Sequence, residues 1–240
     1  MKIALLGYGK MGRAIEAEAL RRGHTILLKI DAEEDWEVGE EMLPDVDIAI
    51  EFSMPNMAVP NIRRCFDANI AVVVGTTGWE QDLDTIKKEC LDANKTLFVA
   101  SNFSPGMNMF FEVNKLLARL MDRFDQFDVK IDELHHKHKL DAPSGTAITL
   151  AGQLIDEIDR KNKWVLGAKS SDAELEVFSK REAEAPGTHS VNYTSDMEQI
   201  EITHSATNRA VFAIGAVMAA EWLLGKQGFF GMEDLLFDSK

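Results

Sequence analysis

The residues best suited to acid–base chemistry lie in one short run of the chain, which reads ELHHKHKLDAPSGTA over positions 133–147. Three of the six histidines fall within four residues here, and Lys137 and Lys139 flank the last of them. Because the chain as a whole is acidic, this cluster of protonatable cations indicates a local site for an anion. Imidazole and ammonium groups with pKa values shifted toward neutrality could also act there as general acids.

His135 and Lys139 are the candidate catalytic pair within this run. They are four residues apart, so their side chains share one face in a helix and also in a strand. Two alternatives stay open: a solvated basic loop without a catalytic role, and a metal site with His135 and His138 as ligands. No cysteine or carboxylate nearby completes a tetrahedral ligand set, and two lysines would repel a cation, so we expect no metal.

A helix is expected directly after the histidine run. Residues 147–155 place apolar side chains at helical spacing, and Ser144 is the candidate N-cap. The free N–H groups and the positive dipole end of this helix would face the same anion as the cations do.

Composition limits the classes of partner. The 240 residues include 26 Lys and Arg against 40 Asp and Glu, and the net charge of −14 argues against nucleic acid or an anionic membrane as the main partner. Cys65 and Cys90 show neither metal-ligand spacing nor a disulfide framework, so we expect buried free thiols. We see no signal peptide and no apolar stretch long enough to cross a bilayer, so the expected location is the cytoplasm.

The N-terminal residues predict a dinucleotide-binding unit. A strand at 2–6 leads into Gly7-Tyr8-Gly9-Lys10-Met11-Gly12, and a helix at 13–22 and a strand at 24–30 follow. In this setting Gly7 allows the tight turn, Gly9 admits a pyrophosphate and Gly12 lets the helix pack on the strand.

Asp31, at the end of the second strand, is the candidate ligand of the adenosine ribose. A carboxylate in this position repels a 2′-phosphate, and the next residue is Ala32 and not an arginine. We therefore expect NADH to be preferred over NADPH, with use of both left open.

Strands and helices alternate through the first hundred residues. After an acidic stretch at 32–45, expected to be an irregular solvated connection, strands are predicted at 46–52, 70–74 and 96–100, with helices at 55–69 and 80–94. This order predicts an α/β fold with a Rossmann-type doubly wound parallel sheet, in which ligands bind beyond the carboxyl ends of the strands. The candidate contacts for the nicotinamide half are Gly75, Thr76, Thr77, Ala100, Ser101, Asn102 and Phe103.

The second half of the chain predicts a separate α+β domain. Alternating strands at 127–131, 175–183, 189–194 and 199–205 predict a mostly antiparallel sheet, and a helical pattern at 210–224 returns to the first unit. We thus expect a dinucleotide-binding domain at 1–103, completed by 209–240, and a substrate-binding and oligomerisation domain at 104–208. A helix is expected at 104–124, with its apolar side formed by Met109, Val113, Leu116, Leu117 and Leu120.

Several motifs together carry a family resemblance. The glycine motif at 7–12, the segments GTTG at 75–78 and ASNFS at 100–104, and the run at 133–147 resemble those of 4-hydroxy-tetrahydrodipicolinate reductases, also called dihydrodipicolinate reductases. The similarity extends to EITHSA at 201–206 and Arg209. It implies NADH- or NADPH-dependent reduction of a cyclic imine dicarboxylate, 4-hydroxy-tetrahydrodipicolinate, to tetrahydrodipicolinate in the diaminopimelate route to lysine.

The resemblance also implies a role for each matching residue. His135 would be the acid/base and Lys139 the proton donor, while His136, Gly145 and Thr146 would bind the small dicarboxylate substrate. The residues of 7–12, Asp31, 75–77 and 100–103 would hold the dinucleotide. Members of the family are typically homotetramers assembled through the sheets of the second domain, so a homotetramer is expected.

Two other functions stay open from the residues alone. A different two-domain dehydrogenase, acting on aspartate or a semialdehyde, would share the glycine motif but would not need the histidine cluster. A dinucleotide-sensing regulator would bind the cofactor without turnover.

Overall fold

In the computed structural model the chain forms two compact units. The first comprises Met1–Pro105 and Ala210–Lys240, and the second comprises Gly106–Arg209. The structure describes residues 1–182, 185, 187–208 and 210–237. The expected strand end at Ala183 and the family-like Arg209 therefore lie outside the described residues.

The secondary structure alternates in the first unit and is mixed in the second. In chain order the strands are β1 (Lys2–Leu6), β2 (Thr25–Ile30), β3 (Ile48–Glu51), β4 (Ala71–Val74), β5 (Thr96–Val99), β6 (Asp128–His136), β7 (Lys163–Leu166), β8 (Glu174–Glu182), β9 (Thr188–Thr194), β10 (Gln199–Ser205) and β11 (Gly228–Phe230). The helices are α1 (Lys10–Arg21), α2 (Asp35–Met42), α3 (Pro55–Asp67), α4 (Leu83–Asp92), α5 (Pro105–Met121), α6 (Gly145–Glu157), α7 (Ala210–Leu223) and α8 (Met232–Phe237).

The first unit is built on a six-stranded sheet in the order β11-β5-β4-β3-β1-β2, in which neighbouring strands pair in parallel. The short apolar strands are buried because core side chains cover both faces of the sheet. The expected doubly wound α/β fold is confirmed. The chain leaves β1 for β2 on one side and returns to β3 on the other, so the topological switch point lies where the glycine motif follows β1.

Two glycines of the motif are required by close backbone approach. Gly7 has φ +93°, and a Cβ there would lie 2.2 Å from the carbonyl oxygen of Phe52. A Cβ at Gly12 would lie 2.3 Å from the carbonyl oxygen of Gly7. The start of α1 therefore packs directly on the turn that follows β1, as the motif predicts.

The acidic stretch after Asp31 is a helix, so the expected irregular connection is wrong. The Asp35 carboxylate accepts from the backbone N–H groups of residues 31 and 32, at 2.7 and 2.9 Å, and α2 begins at this residue. Trp36 in α2 and Leu43 in the 3₁₀ turn that follows it are 2% and 8% exposed and belong to the core. Burial of these two apolar side chains anchors the segment despite its many carboxylates.

The second unit contains a five-stranded sheet in the order β10-β9-β6-β8-β7. It is mixed: β6 and β7 pair parallel to β8, whereas β9 is antiparallel to both β6 and β10. Parallel pairs are thus as frequent as antiparallel ones, because α6 crosses between β6 and the short strand β7, which the sequence analysis did not identify. Strand β6 alternates strictly, and Val129, Ile131, Glu133 and His135 point to the buried side.

Helix α5 is present, but its expected apolar side is wrong except at Leu117, which is partly buried and packs against the core. Met109, Val113, Leu116 and Leu120 are between 45% and 56% exposed. The buried residues of the helix are Met107, Phe110, Asn114, Ala118 and Met121. Both sets recur at helical spacing, so spacing alone does not distinguish the buried side. Asn114 lies on the buried side, where its amide donates to the Leu150 carbonyl oxygen at 3.4 Å and to Gln153 Oε1 at 3.0 Å.

The C-terminal residues return to the first unit through α7, as expected, and β11 and α8, which were not expected, complete it. Cys65 and Cys90 are free and buried, which confirms the expectation for the thiols. Among the described residues, no helix combines the length and apolarity needed to cross a membrane.

We predict that Gly215→Ala destabilises the first unit. A Cβ at Gly215 of α7 would lie 1.7 Å from the carbonyl oxygen of Phe103, a backbone atom that must shift to make room. The expected loss is about 1–3 kcal/mol in the free energy of unfolding, measured by chemical denaturation. The control is Gly152→Ala in α6, where no heavy atom lies within 4 Å of the new Cβ. It should be neutral or stabilising by up to about 1 kcal/mol, and equal effects of the two substitutions would contradict this packing argument.

Candidate active site

A cavity of about 540 Å³ opens beside the glycine motif in the first unit. Gly7, Gly9 and Asp31, three of the expected cofactor residues, line it. The remaining lining includes side chains that the sequence analysis did not assign, among them Trp36, Phe52, Ser53, Met54 and Met57. Apolar walls with a carboxylate at one end suit an adenosine group.

The start of α1 offers free backbone donors at this cavity. Lys10, Met11 and Gly12 form its first turn, and the N-cap residue Gly9 provides no side-chain cap. A Cβ at Gly9 would meet no heavy atom within 4 Å, so the backbone there faces open space. The N–H of Tyr8 donates to Asp31 Oδ1 at 2.8 Å, which fixes the expected ribose ligand against the loop. These features fit a pyrophosphate approaching a helix N-terminus.

The ribose end of the cavity is surrounded by carboxylates. Asp35 occupies the backbone N–H groups of residues 31 and 32, and these hydrogen bonds lower the pKa of its carboxyl. Glu33 lines the cavity and forms a two-pronged ion pair with Arg64, whose guanidinium also lies over the Trp36 ring. Lys29, at the end of β2, is paired with Glu16 at 2.6 Å.

The residues expected near the nicotinamide follow β4 and β5. Gly75 approaches the Phe52 ring so closely that a Cβ would lie 2.1 Å from it. Thr76 is buried and accepts from the Ser53 N–H at 2.8 Å. Thr77 and Ser101 are exposed and Ala100 and Asn102 are partly buried. In contrast, the Phe103 side chain is 2% exposed and packs on the rings of Phe52 and Phe98, so only its backbone could meet a ligand.

In the second unit, the histidine run is organised by a buried carboxylate that the sequence analysis did not single out. Glu133 lies two residues before His135 on β6, and its side chain has no exposed surface. Its Oε1 accepts from Ser179 Oγ at 2.7 Å and from Arg181 Nη2 at 3.2 Å. The N–H of Ser144 lies 3.1 Å from Oε1 and 3.2 Å from Oε2. Burial alone would raise the pKa of Glu133, but these hydrogen bonds and neighbouring histidines hold it well below its usual range.

Arg181, from β8, clamps the loop that carries Lys139. Besides Glu133, its guanidinium donates to the carbonyl oxygens of Lys139 at 3.4 Å and Asp141 at 2.6 Å. The Lys139 ammonium itself pairs with the Asp141 carboxylate at 2.8 Å. Lys137, by comparison, is exposed. The loop is therefore held from two sides, with Lys139 partly buried.

His135 is buried beside Glu133, and it is a neutral imidazole at pH 7. Its Nδ1 lies 3.5 Å from Glu133 Oε2, and its ring meets that of His189 edge-on with centroids 5.0 Å apart. Burial lowers the pKa of His135 to about 4, since the attraction of Glu133 only partly offsets burial and the charges of Lys139 and Arg181 add to it.

The expected helix after the histidine run is present as α6. Ser144 is its N-cap and accepts from the Ala147 N–H at 3.2 Å, as the sequence predicts. The N–H groups of Gly145 and Thr146 bond to no acceptor in the part of the chain that the structure describes. His136, at the end of β6, is partly buried, and its ring lies 6.3 Å from that of His138. The Glu133 carboxylate thus lies between the His135 ring and the Ser144 N–H at the start of the helix.

From the sequence, no carboxylate was expected close enough to the histidine run to complete a metal site. The structure corrects this premise, because Glu133, His135 and His189 bring donor atoms within 4.8 Å of one another. However, Glu133 already accepts from Ser144, Ser179 and the cationic Arg181. Glu133 was within reach of sequence reasoning, since it shares the buried side of β6 with His135; Arg181 and His189 come from other strands.

Comparisons with known proteins agree across the whole chain. The family model described as dihydrodipicolinate reductase, N-terminus, matches residues 1–103, and the one described as dihydrodipicolinate reductase, C-terminus, matches residues 106–236. A 4-hydroxy-tetrahydrodipicolinate reductase of Christiangramia forsetii is 46% identical over 99% of this chain and 98% of that protein. One from Aquifex aeolicus is 39% identical over 82% of this chain and 76% of that protein.

Solved structures agree in fold. A dipicolinate-bound dihydrodipicolinate reductase from Paenisporosarcina sp. TG-14 has a TM-score of 0.76 at 19% identity, covering 96% of this chain and 97% of that one. A DAP dehydrogenase of C. glutamicum in complex with DAP has a TM-score of 0.54 at 16% identity, covering 100% of this chain and 96% of that one.

Proposed function

The chain belongs to the dihydrodipicolinate reductase family, and we propose how its own residues carry out the reaction of that family. The protein catalyses the NAD(P)H-dependent reduction of 4-hydroxy-tetrahydrodipicolinate to tetrahydrodipicolinate in the diaminopimelate route to lysine. The observation that carries the residue assignment is that one buried carboxylate, Glu133, accepts from the Ser144 N–H at the start of α6 and lies 3.5 Å from His135 Nδ1.

The dinucleotide is assigned to the cavity beside the glycine motif. Residues 7–12 would hold the pyrophosphate on the start of α1, and Asp31 would accept from the ribose hydroxyls. The loops at 75–77 and 100–103 would meet the nicotinamide half, with Phe103 contributing backbone only. The bound nicotinamide supplies the hydride.

The substrate is assigned to the start of α6. One carboxylate would accept from the free N–H groups of Gly145 and Thr146, where the helix dipole adds to the hydrogen bonds. The second carboxylate needs a cation, and His136 or Lys139 would provide it.

The proton is assigned to Lys139. Addition of hydride to the ring, with loss of the 4-hydroxyl group as water, consumes one proton, and a well-placed general acid is worth about 10²–10⁴-fold in rate. The pKa of His135, lowered by burial to about 4, leaves this ring without a second proton at pH 7. His135 would therefore act as a neutral acid/base that orders the reacting groups, while the Lys139 ammonium donates.

We further propose that NADH is preferred over NADPH. A 2′-phosphate usually needs backbone N–H groups or a free cation beside the ribose. Here Asp35 occupies the N–H groups of residues 31 and 32, and Glu33 neutralises Arg64. Asp31, Glu33 and Asp35 would together repel the added phosphate.

A homotetramer is also proposed, on the strength of the family resemblance. The second sheet buries one face against α5 and α6, and its other face carries polar side chains such as Lys130, Asp132 and Asn192. Light scattering should report about four times the chain mass of 26.8 kDa; a monomer at micromolar concentration would contradict the proposal.

We predict that His135→Gln and Lys139→Ala each lower kcat by roughly 10²-fold or more, because each removes a group that acts at the reacting ring. Oxidation of NADH with freshly generated 4-hydroxy-tetrahydrodipicolinate is the assay. Cofactor affinity should change little, since neither residue belongs to the dinucleotide cavity. The matched control is Lys137→Ala, an exposed lysine of the same loop, which should keep full activity. Turnover like that of the wild type in both active-site variants would rule out the assigned roles.

We predict that Glu33→Gln shifts the cofactor ratio toward NADPH. The substitution removes one repelling charge and frees Arg64, so the ratio of kcat/KM for NADPH over NADH should rise by roughly tenfold. Ala32→Arg should act in the same direction. The neighbouring Glu34→Gln is the control, since Glu34 does not line the cavity. A ratio that already favours NADPH in the wild type, or that is the same in all variants, would refute the NADH assignment.

A further inference from the structure

Glu133 divides its two oxygens between anchoring and orienting. Oε1 is held by Ser179 and Arg181 from β8, at 2.7 and 3.2 Å. Oε2 shares the Ser144 N–H with Oε1, at 3.2 Å, and faces two imidazole nitrogens, His135 Nδ1 at 3.5 Å and His189 Nε2 at 3.6 Å. The anchoring side therefore fixes where Oε2 points, and Oε2 points at the histidine assigned to catalysis.

An ionised carboxylate can only accept hydrogen bonds, so its position selects the tautomer of its neighbour. With Oε2 beside Nδ1, the favoured neutral form of His135 carries its hydrogen on Nδ1 and leaves Nε2 with a lone pair. Nε2 lies on the far edge of the ring, where a Cβ on Gly187 would be only 3.3 Å away. The distance of 3.5 Å is longer than a formed hydrogen bond, as is common for catalytic contacts before substrate binds.

The same carboxylate also sets the position of the substrate cradle. It accepts from the Ser144 N–H at 3.1 Å, and Ser144 is the N-cap that precedes the free amides of Gly145 and Thr146. Arg181 extends the connection to the carbonyl oxygens of Lys139 and Asp141. The positions of the His135 ring, the amides at the start of α6 and the loop that carries Lys139 thus all depend on Glu133.

We propose that Glu133 is a positioning residue for the reduction, which fixes His135 as the Nδ1–H tautomer and holds it in register with the amides at the start of α6. The proposal rests on the proposed function for the role of His135. Carboxylates that orient a catalytic histidine act in this way, and their loss disturbs catalysis more than folding.

A metal centre is the rival explanation for the same residues. Glu133 Oε2, His135 Nδ1 and His189 Nε2 are a plausible donor set for zinc, with contacts of 3.5 and 3.6 Å between the oxygen and the two nitrogens. The guanidinium of Arg181 on the same carboxylate works against a cation there. The geometry therefore favours a carboxylate that orients His135 over a carboxylate that binds a metal.

The decisive variant is Glu133→Gln, which keeps the shape of the side chain. Ser179 and Arg181 are donors at the Oε1 position, so the amide oxygen takes that position and the NH₂ group faces His135 Nδ1. An NH₂ group donates, so the histidine should switch to the Nε2–H tautomer. We expect kcat to fall by about 10²-fold or more with the KM for NADH unchanged. Glu133→Asp keeps an acceptor and should recover part of the lost rate. The ¹⁵N chemical shifts of the ring report the tautomer directly.

The matched control is Glu174→Gln, a buried glutamate at the start of β8 that pairs with Lys163 and Ser170 and lies outside the histidine cluster. It should change stability but not kcat or the His135 tautomer. The ¹⁵N spectrum of the wild type tests the proposal even if Glu133→Gln does not fold, because the Nδ1–H form is expected there.

Three results would overturn the proposal: an Nε2–H tautomer in the wild type, a folded Glu133→Gln protein with a kcat within twofold of wild type, or one equivalent of metal that is bound to the purified protein and whose removal abolishes turnover. Failure of the proposed function looks different. In that case the wild type would not oxidise NADH with 4-hydroxy-tetrahydrodipicolinate, while the tautomer measurement would keep its meaning.

Discussion

A carboxylate without access to water must be surrounded by donors, and this requirement shapes the second unit. Glu133 is ionised and has no exposed surface, so each neighbouring element contributes to it: β8 through Ser179 and Arg181, β9 through His189, and α6 through the Ser144 N–H. Removing one of these partners would leave the buried charge under-compensated. The arrangement that satisfies the charge is also the one that brings the histidine run to the start of a helix.

Both units present backbone N–H groups at a helix start, after Gly9 in the first unit and after Ser144 in the second. With a net charge of −14, the chain cannot rely on a general positive field to attract an anion. In the proposed function, these two helix starts therefore receive the anionic groups of the cofactor and the substrate. After β2, by contrast, the backbone N–H groups of residues 31 and 32 donate to the Asp35 carboxylate, so they are not free to bind an anion from solution.

Local signals in the sequence were sufficient for five of the six strands of the first sheet, the glycine motif and the Ser144 cap, because each depends on a few adjacent residues. They failed where two local patterns competed. Acidity hid the amphipathic helix around Trp36, and α5 carries apolar residues on two sides, of which the one around Asn114 is buried. The candidate site could be predicted only in part: His135 and Lys139 lie in one short run, whereas Arg181 and His189 reach Glu133 from strands more than forty residues away in sequence. No spacing rule within one segment can find such partners.

A carboxylate in the middle of an anion site is at first sight a contradiction, and the position of the charges resolves it. Arg181 lies against Oε1, so the pair carries little net charge, and Oε2 faces the Nδ1 edge of His135 and not its Nε2 edge. Burial, together with the charges of Lys139 and Arg181, lowers the pKa of His135 to about 4, so the imidazole stays neutral. In the proposed function, the positive charge that an anionic ring meets is then that of Lys139 and the helix amides. A neutral histidine of fixed tautomer, held by a neutralised acid, orders the reacting atoms without competing with the substrate for those donors.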